Sequence, residues 1–503
     1  MSDQFFGGDF GPPADDPYDP NEPYDANRDG QNVNGENRDG DDFERAGLEE
    51  PDEFVEQGDA VYAALLSRLG ESAPEPRLSA TRRAVELLGD PQRAYPIIHI
   101  TGTNGKTSTS RITESILRAY GLRTGLFTSP HLERLNERIM IDGAPISNEA
   151  LAANWQDVEP FLDLVDAELE AKDEPRLTFF EALSVLAFAA FADAPVDVAV
   201  IEVGMGGEWD STNVADGQVA VFTPISLDHT ARLGNTVAEI ARTKSGIVKP
   251  ASRVVSAVQP AEALSELQRA AELSESTFAG EGDAFRLIDC KVAVGGQLVS
   301  IQGLAGRYDE LFLPLYGNHQ GHNAAVAVAA VESFLGGGSQ ALVDDVITEG
   351  FATVTSPGRL QLVGVEPTVL VDAAHNPGGA VALAAAITEY FTFDKVVAVL
   401  SVLGDKDVAG IVRALEPVVS EFVITSSSSD RAIDPDELAS IVVGMVGADR
   451  VLVEPELVTA LEEARGLAEG SSQGAVLVTG SITLVGEVIT LAAAEGWKDE
   501  PTS

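Results

Sequence analysis

The stretch Thr101-Gly-Thr-Asn-Gly-Lys-Thr-Ser-Thr-Ser110 follows the apolar run Pro96-Ile-Ile-His-Ile100. It leads into Arg111-Ile-Thr-Glu-Ser-Ile-Leu-Arg-Ala-Tyr-Gly121, where Ile112, Ile116 and Ala119 recur at helical spacing. This order predicts strand, glycine loop and helix, which commits the chain to a layered α/β sheet. Such a loop suits a phosphate, because successive backbone N–H groups and a helix N-terminus present partial positive charge and Lys106 adds a full one. The usual phosphate-loop pattern has a glycine five residues before Gly105, and Ile100 stands there instead.

The remaining pattern agrees with a layered fold. Helical periodicity is expected in EFVEQGDAVYAALLSRL and SATRRAVELLG, then strands in PIIHI, TGLFT, VDVAVIEVG and VAVFTPI. Strands that are apolar throughout, rather than alternating, belong in a parallel sheet covered on both faces. A second series begins at Arg359 with RLQLVGV, TVLVDAA, KVVAVLSVL, EFVITS, RVLVEP and AVLVTGS. Within it Asp434-Pro-Asp-Glu437 reads as N-cap, proline at the first helical position and glutamate two residues later. The expected organisation is an acidic tail over 1–51, an α/β domain over 52–352, a linker over 353–358 and a second α/β domain over 359–503.

Charge and composition exclude some classes of function. A formal charge of −47 leaves no clustered Lys and Arg for a nucleic-acid backbone. The longest apolar run, Ala182 to Ala192, is too short to span a bilayer, and the first residues lack the regions of a signal peptide, so a cytoplasmic, membrane-free protein is expected. A single cysteine, Cys290, excludes an internal disulfide framework and reads as a small buried residue. Residues 1–50 hold fifteen acidic residues against three Arg and few apolar ones, the composition of a disordered tail. Within them Asp25 to Glu36 fits the twelve-residue calcium-loop expression, but without apolar periodicity on either side the match reads as chance.

Two further stretches carry candidate chemistry. In Val198 to Val214 the glycines 204, 206 and 207 fail the dinucleotide fingerprint, because its third glycine falls at Trp209. Glu202 ends the preceding strand, where parallel α/β sheets place ligands; a magnesium ion on a phosphate is favoured as its partner over a role capping a neighbouring helix. Asp228 and His229 end the next strand; a lone His229 is more often a hydrogen-bonded structural histidine than a ligand, and beside a strand-end Glu and a phosphate loop the two readings stand about even. Lys244 alone reads as a surface lysine.

Taken in order, TGTNGKTS, FTSPHLERLNERI, TFFEALS, EVGMGGEWDSTN, LDHTARLG, KSGIVKP, SPGRLQ, DAAHNPGG and GDKD resemble the folylpolyglutamate synthases and dihydrofolate synthases of the Mur ligase superfamily, over roughly residues 60 to 490. The resemblance implies a P-loop ATPase domain with a parallel-rich sheet followed by a smaller Rossmann-like α/β domain. It also makes the shortened glycine loop a family trait. The implied reaction is ATP-dependent: a carboxylate on a pterin-containing acceptor is phosphorylated, and the amino group of glutamate displaces phosphate.

Carried over by position, Thr103, Asn104, Gly105, Lys106, Thr107 and Ser108 form the nucleotide loop. Thr107, Ser129, Glu202, His229 and Lys244 fall at magnesium-associated positions for two ions, with Lys244 at the lysine the family carries as a carbamate. Asn323, Arg359, Asp372 and His375 match nucleotide-contacting and catalytic positions. His131, Arg138, Phe179 and Phe180 match acceptor-side segments, where aromatic faces suit a pterin. The implied partners are small molecules alone, namely ATP, glutamate and dihydropteroate or a reduced folate, bound by a monomer.

Three positions depart from the common pattern. GKT stands where GKG followed by a hydroxyl residue is frequent, so Thr107 or Ser108 takes the hydroxyl position. Glu208 replaces a basic residue, and TKSG stands where EKAG is common. A cell-wall Mur ligase is the nearest rival, disfavoured by SPHLERLNERI and LDHTARLG; a non-catalytic nucleotide-binding module is disfavoured by the joint presence of Lys106, Glu202, His229 and Lys244. Since no motif falls in residues 1–50, their deletion is expected to leave turnover within about twofold of the full chain in a steady-state assay.

Overall fold

The computed structural model describes residues 50–70 and 75–498. The acidic stretch and the calcium-loop match at Asp25 to Glu36 lie outside the described residues. Three sheets organise the rest.

The first sheet is built from β1 (Ile97–Thr101), β2 (Thr124–Phe127), β3 (Ile139–Ile141), β4 (Ala144–Pro145), β5 (Val198–Glu202), β6 (Val219–Phe222), β7 (Arg253–Ser256) and β8 (Thr277–Gly280). They lie in the order β4-β3-β2-β5-β1-β6-β7-β8. From β2 to β8 every pairing is parallel, while β3 and β4 continue the edge antiparallel. The four strands expected from the sequence form its centre. The edge strands escape the sequence reading because they are only two to four residues long.

Alternation along the central strands divides the core in two. Ile97, Ala199 and Ile201 join the helices Asn148–Glu170 and Phe179–Asp193 on one face. Ile98, Ile100, Val198 and Val200 meet the helices Lys106–Ala119 and Asn318–Gly336 on the other. The second of these helices carries Ala324 to Val331 fully buried, and its run of alanines lets backbone approach backbone closely. The apolar run Ala182 to Ala192 therefore belongs to a buried core helix, and among the described residues no helix is long and apolar enough to cross a membrane.

A three-stranded antiparallel sheet of β9 (Arg286–Ala293), β10 (Gly296–Gln302) and β11 (Arg307–Leu313) follows. The third sheet contains β12 (Gln361–Val365), β13 (Thr368–Asp372), β14 (Lys395–Leu400), β15 (Glu421–Ile424), β16 (Val451–Val453) and β17 (Gly474–Thr479), in the order β12-β13-β17-β14-β15-β16. All six were legible as apolar runs. Only β12 runs antiparallel to its neighbour. Asp434 caps the Pro435–Val446 helix by accepting from the Asp436 and Glu437 amides, as its sequence pattern predicts.

Cys290 departs from the expectation of a buried residue. It lies half-buried on β9, its thiol 2.6 Å from Gln297 Oε1. Gln297 itself is fully buried and uses both ends of its amide. Its Nε2 donates to the Leu315 and Gly317 carbonyls at 2.8 and 3.1 Å, and its Oε1 accepts from the Tyr390 hydroxyl at 2.6 Å. That amide ties the small sheet to the Pro377–Tyr390 helix beside the third sheet. Gln297→Leu strands two carbonyls and a hydroxyl, so it is expected to lower unfolding free energy by roughly 2–4 kcal/mol, and Tyr390→Phe by about 1, in denaturant titration.

Candidate active site

The C-terminal ends of β1, β5, β6 and β13 open on one cavity of about 1650 Å³. Gly105 turns the loop after β1 with φ +87°, and a Cβ there would lie 2.5 Å from Asn323 Oδ1, so only glycine fits. Helix Lys106–Ala119 starts immediately after, aiming its N-terminus at the cavity. Asn323 is buried and held by Gln320, whose amide also donates to Ser108 Oγ at 3.2 Å. The Lys106 ammonium rests on the Gly102 and Thr103 carbonyls, both at 3.3 Å, and has no carboxylate partner among the described residues. Thr103 Oγ1 donates to the Ser226 carbonyl at 3.1 Å, which moors the loop to the segment after β6.

Glu202, at the end of β5, is 1% exposed and receives the Thr107 hydroxyl on both oxygens, at 3.1 and 3.0 Å. Burial pushes its carboxyl above the usual range, against the pull of Lys106, Thr107, Arg359 and the Ser129 backbone N–H. Ser129 lines the same cavity. A carboxylate kept uncomfortable by burial next to a hydroxyl is an oxygen donor pair of the kind a hard cation takes. Among the described residues no three His, Cys, Asp or Glu side chains cluster as a ready-made metal site, so other oxygens would have to complete the shell.

Lys244 is 4% exposed, and its Nζ donates to the Gly102 carbonyl at 2.7 Å. Burial, reinforced by Lys106, brings its pKa down to about 7 against the opposing effect of Asp228 and Asp210. It is therefore no surface lysine. Asp210 is buried, accepting the Met205 and Thr212 amides at 2.9 and 3.0 Å.

Asp228 joins the two halves of the site. Its Oδ1 accepts the His229 amide at 2.8 Å and the Lys406 ammonium at 3.0 Å; its Oδ2 accepts Asn376 Nδ2 at 3.2 Å. Burial opposes ionisation, yet His229, Lys406 and His375 hold its carboxyl well below the usual range. Asn376 caps the Pro377–Tyr390 helix and exchanges amide hydrogen bonds with Asn104 at 2.9 and 3.3 Å. His229, at φ +49°, presents a third of its side chain, and burial with the nearby lysines lowers it to about 4. His375 Nδ1 donates to the Ala373 carbonyl at 2.9 Å, which leaves Nε2 unprotonated, 4.0 Å from Asp228 Oδ2; burial and Lys406 lower this ring to about 4 as well.

Asp372, at the end of β13, accepts the Leu360 and Ala374 amides at 2.7 and 2.8 Å, and burial raises its carboxyl despite Arg359. The Arg359 guanidinium faces the cavity with no ion pair among the described residues. The structure thus brings the nucleotide-loop, metal-associated and third-sheet candidates to one cavity. Of the four acceptor-side candidates, Phe180 lines it. Phe179 is turned into the core with the Arg138 guanidinium 5.2 Å above its ring, so its face is closed to a pterin. Arg138 Nε donates to His131 Nδ1 at 2.7 Å beside the cavity wall. Asn376 and Lys406 were not singled out from sequence, although DAAHN and GDKD contain them; Asp228 was placed at a strand end on the ligand side but given no role.

A glycine loop at a parallel strand, a buried acidic strand end and a second α/β sheet contributing His, Asp and Arg to the same cavity define a Mur-type ligase. The family models for the Mur ligase middle domain and the Mur ligase glutamate ligase domain match residues 100–331 and 358–482. A dihydrofolate synthase/folylpolyglutamate synthase of Mycobacterium tuberculosis is 44% identical over 452 residues, covering 86% of this chain and 93% of that protein. A solved M. tuberculosis folylpolyglutamate synthase complexed with ADP superposes at TM-score 0.84 with 43% identity, over 87% of this chain and 99% of that one. An Escherichia coli FolC in complex with DHPP and ADP superposes at TM-score 0.75 with 28% identity, over 87% and 98%. The chain belongs to the dihydrofolate synthase and folylpolyglutamate synthase family.

The lowered Lys244 ammonium has a consequence for stability. Between about pH 7 and its ordinary value of 10.5 the unfolded chain holds a proton that the folded chain does not, so this group's contribution to stability rises with pH across that window. Lys244→Met removes the penalty. It is expected to stabilise the protein by roughly 2–4 kcal/mol at pH 7 in bicarbonate-free buffer, with the gain shrinking towards pH 10, in denaturant titrations at several pH values.

Proposed function

We propose that this chain joins L-glutamate both to dihydropteroate and to reduced folates, with ATP activating the acceptor carboxylate as an acyl phosphate. The observation that carries this reading is the cavity itself, where Lys106 and Arg359, from different sheets, point cationic groups free of carboxylate partners at one space. The family membership supplies the substrates. On this reading residues 52–352 form the ATP-binding part and 359–503 the ligase part, joined through 353–358.

Each step then has residues to perform it. The amides of the Thr103 to Ser108 loop and the Lys106 ammonium cradle the phosphates, and Lys106 meets charge in both ground and transition states. Asn323 and Asp372 border the nucleotide. Thr107, Glu202 and Ser129 fit magnesium by their oxygen chemistry, with His229 neutral and able to ligate; the bound ions would neutralise phosphate charge. An acceptor carboxylate oxygen attacks the γ-phosphorus and ADP leaves; the glutamate amine then attacks the acyl carbon and phosphate leaves. His375, neutral and accepting at Nε2, is suited to receive a hydrogen bond from that amine, and Arg359 to hold the anion that departs. Closure of the two parts over the cavity excludes water that would hydrolyse the acyl phosphate. The acceptor enters along Ser129 to Arg138 and Phe180.

Lys244 fits the carbamate reading. With a pKa of about 7 the amine has a substantial neutral fraction at pH 7; that form adds to carbon dioxide and loses a proton, which gives an anionic oxygen donor. Lys244→Ala is expected to be nearly inactive and partly restored by short carboxylic acids; full activity without them overturns the assignment.

A phosphate-release assay with product masses tests the whole reading. Dihydropteroate and a reduced folate, each with glutamate and ATP, are expected to release phosphate and gain one glutamyl unit, whereas a UDP-muramoyl acceptor gives neither. Glu202→Gln is expected to cut turnover about 100-fold or more and to raise the magnesium requirement.

A further inference from the structure

The segment after β2 has two sides. Ser129 and Pro130 line the cavity. Two residues later the chain leaves the first sheet's environment altogether: Leu132 packs into the apolar core of the third sheet, among Val485, Leu484 and their neighbours. The fit there is close. A methyl built on Gly358 would lie 3.1 Å from both Leu132 Cδ atoms, and one built on Gly486 would collide with the Leu132 carbonyl oxygen. The turn that presents Leu132 is built for rigidity, because the Glu137 carboxylate collects the Leu132, Glu133 and Arg134 amides at 2.8, 2.9 and 2.8 Å. Thr490 Oγ1, on the helix Ile482–Ala494, donates to Glu133 Oε1 at 2.6 Å and adds a second tie.

We propose that Leu132 is a positioning residue for the acceptor: seated in the third sheet's core, it fixes the Ser129–Pro130 wall and the adjoining His131, so that the part supplying Asp372 and His375 also sets the shape of the acceptor end of the cavity. This rests on the reading that the acceptor lies along this segment and Phe180. Leu132 touches no reactant in this account; it acts through a rigid turn two residues from the wall. A side chain removed from that seat lets the wall shift, and a displacement of about 1 Å at a substrate wall is enough to change binding by an order of magnitude or more.

Steady-state kinetics of four variants test it. Phe180→Ala asks whether this end of the cavity takes the acceptor. Leu132→Ala empties the seat, Leu132→Met refills it at similar volume, and Val476→Ala, fully buried on β17 in the same core, is the control for lost stability alone. Expected are a several-fold rise in acceptor KM for Phe180→Ala, and about a tenfold rise for Leu132→Ala with KM for ATP within twofold. Leu132→Met is expected near the parent, and Val476→Ala unchanged in acceptor KM despite a lower melting temperature. If Phe180→Ala raises acceptor KM while Leu132→Ala does not, or if Val476→Ala raises it as much as Leu132→Ala, the positioning role is overturned and the acceptor reading stands. An unchanged acceptor KM in Phe180→Ala overturns both.

Discussion

The site depends on one carboxylate. Asp228 leaves the sheet after β6 and takes Lys406 and Asn376 from the far side of the cavity, while Asn376 also pairs with Asn104 in the nucleotide loop. A buried carboxylate is costly unless paired and hydrogen-bonded, and here both conditions are met by groups more than a hundred residues away in sequence. The pair therefore specifies geometry more than it adds stability. It makes the glycine loop, the strand end carrying His229 and the DAAHN segment into one assembly.

The cations follow a related rule. The chain carries a formal charge of −47, yet Lys106, Lys244, Lys406 and Arg359 serve one cavity. At physiological ionic strength the Debye length is about 8 Å, so the distant acidic surface is largely screened from an anion in that space, and the near charges decide. How each cation is held matters more than how many there are. Lys106 and Lys244 rest on backbone carbonyls, which hold position without cancelling charge, whereas Lys406 is spent on Asp228. Two kinds of lysine result: those that keep their field or lose their proton, and one that closes the structure.

Much of this was legible in the sequence, for reasons that differ by element. The central strands of the first and third sheets show as apolar runs because strands buried on both faces need no alternation, and the third sheet's edge strands β12 and β16 are apolar in sequence although partly exposed. Strand-end residues such as Glu202 and His229 could be placed because parallel sheets put ligands at that edge, whereas Asp372 was reached only through the family resemblance. What escaped were properties that exist only after folding. The partner of Asp228 lies 178 residues away at Lys406, a separation no local pattern encodes. Phe179 and Phe180 are indistinguishable as sequence, and the helix phase alone sends one ring to the core and the other to the cavity. Lys244 looked like a surface residue because its burial is supplied by the glycine loop, not by its own helix.

The protonation states close the account of the site. His229 and His375 are both lowered to about 4, which leaves them neutral across the physiological range. In both, burial acts first; Asp228 opposes it and the nearby lysines add to it, so the histidines stay lone-pair acceptors. The group left near neutrality is Lys244, at about 7. It sits where the glycine loop's own Gly102 carbonyl accepts its hydrogen bond, so a change in its charge is felt by the phosphate cradle before any other element. The histidines that look from sequence like natural proton carriers are held neutral chiefly by their burial.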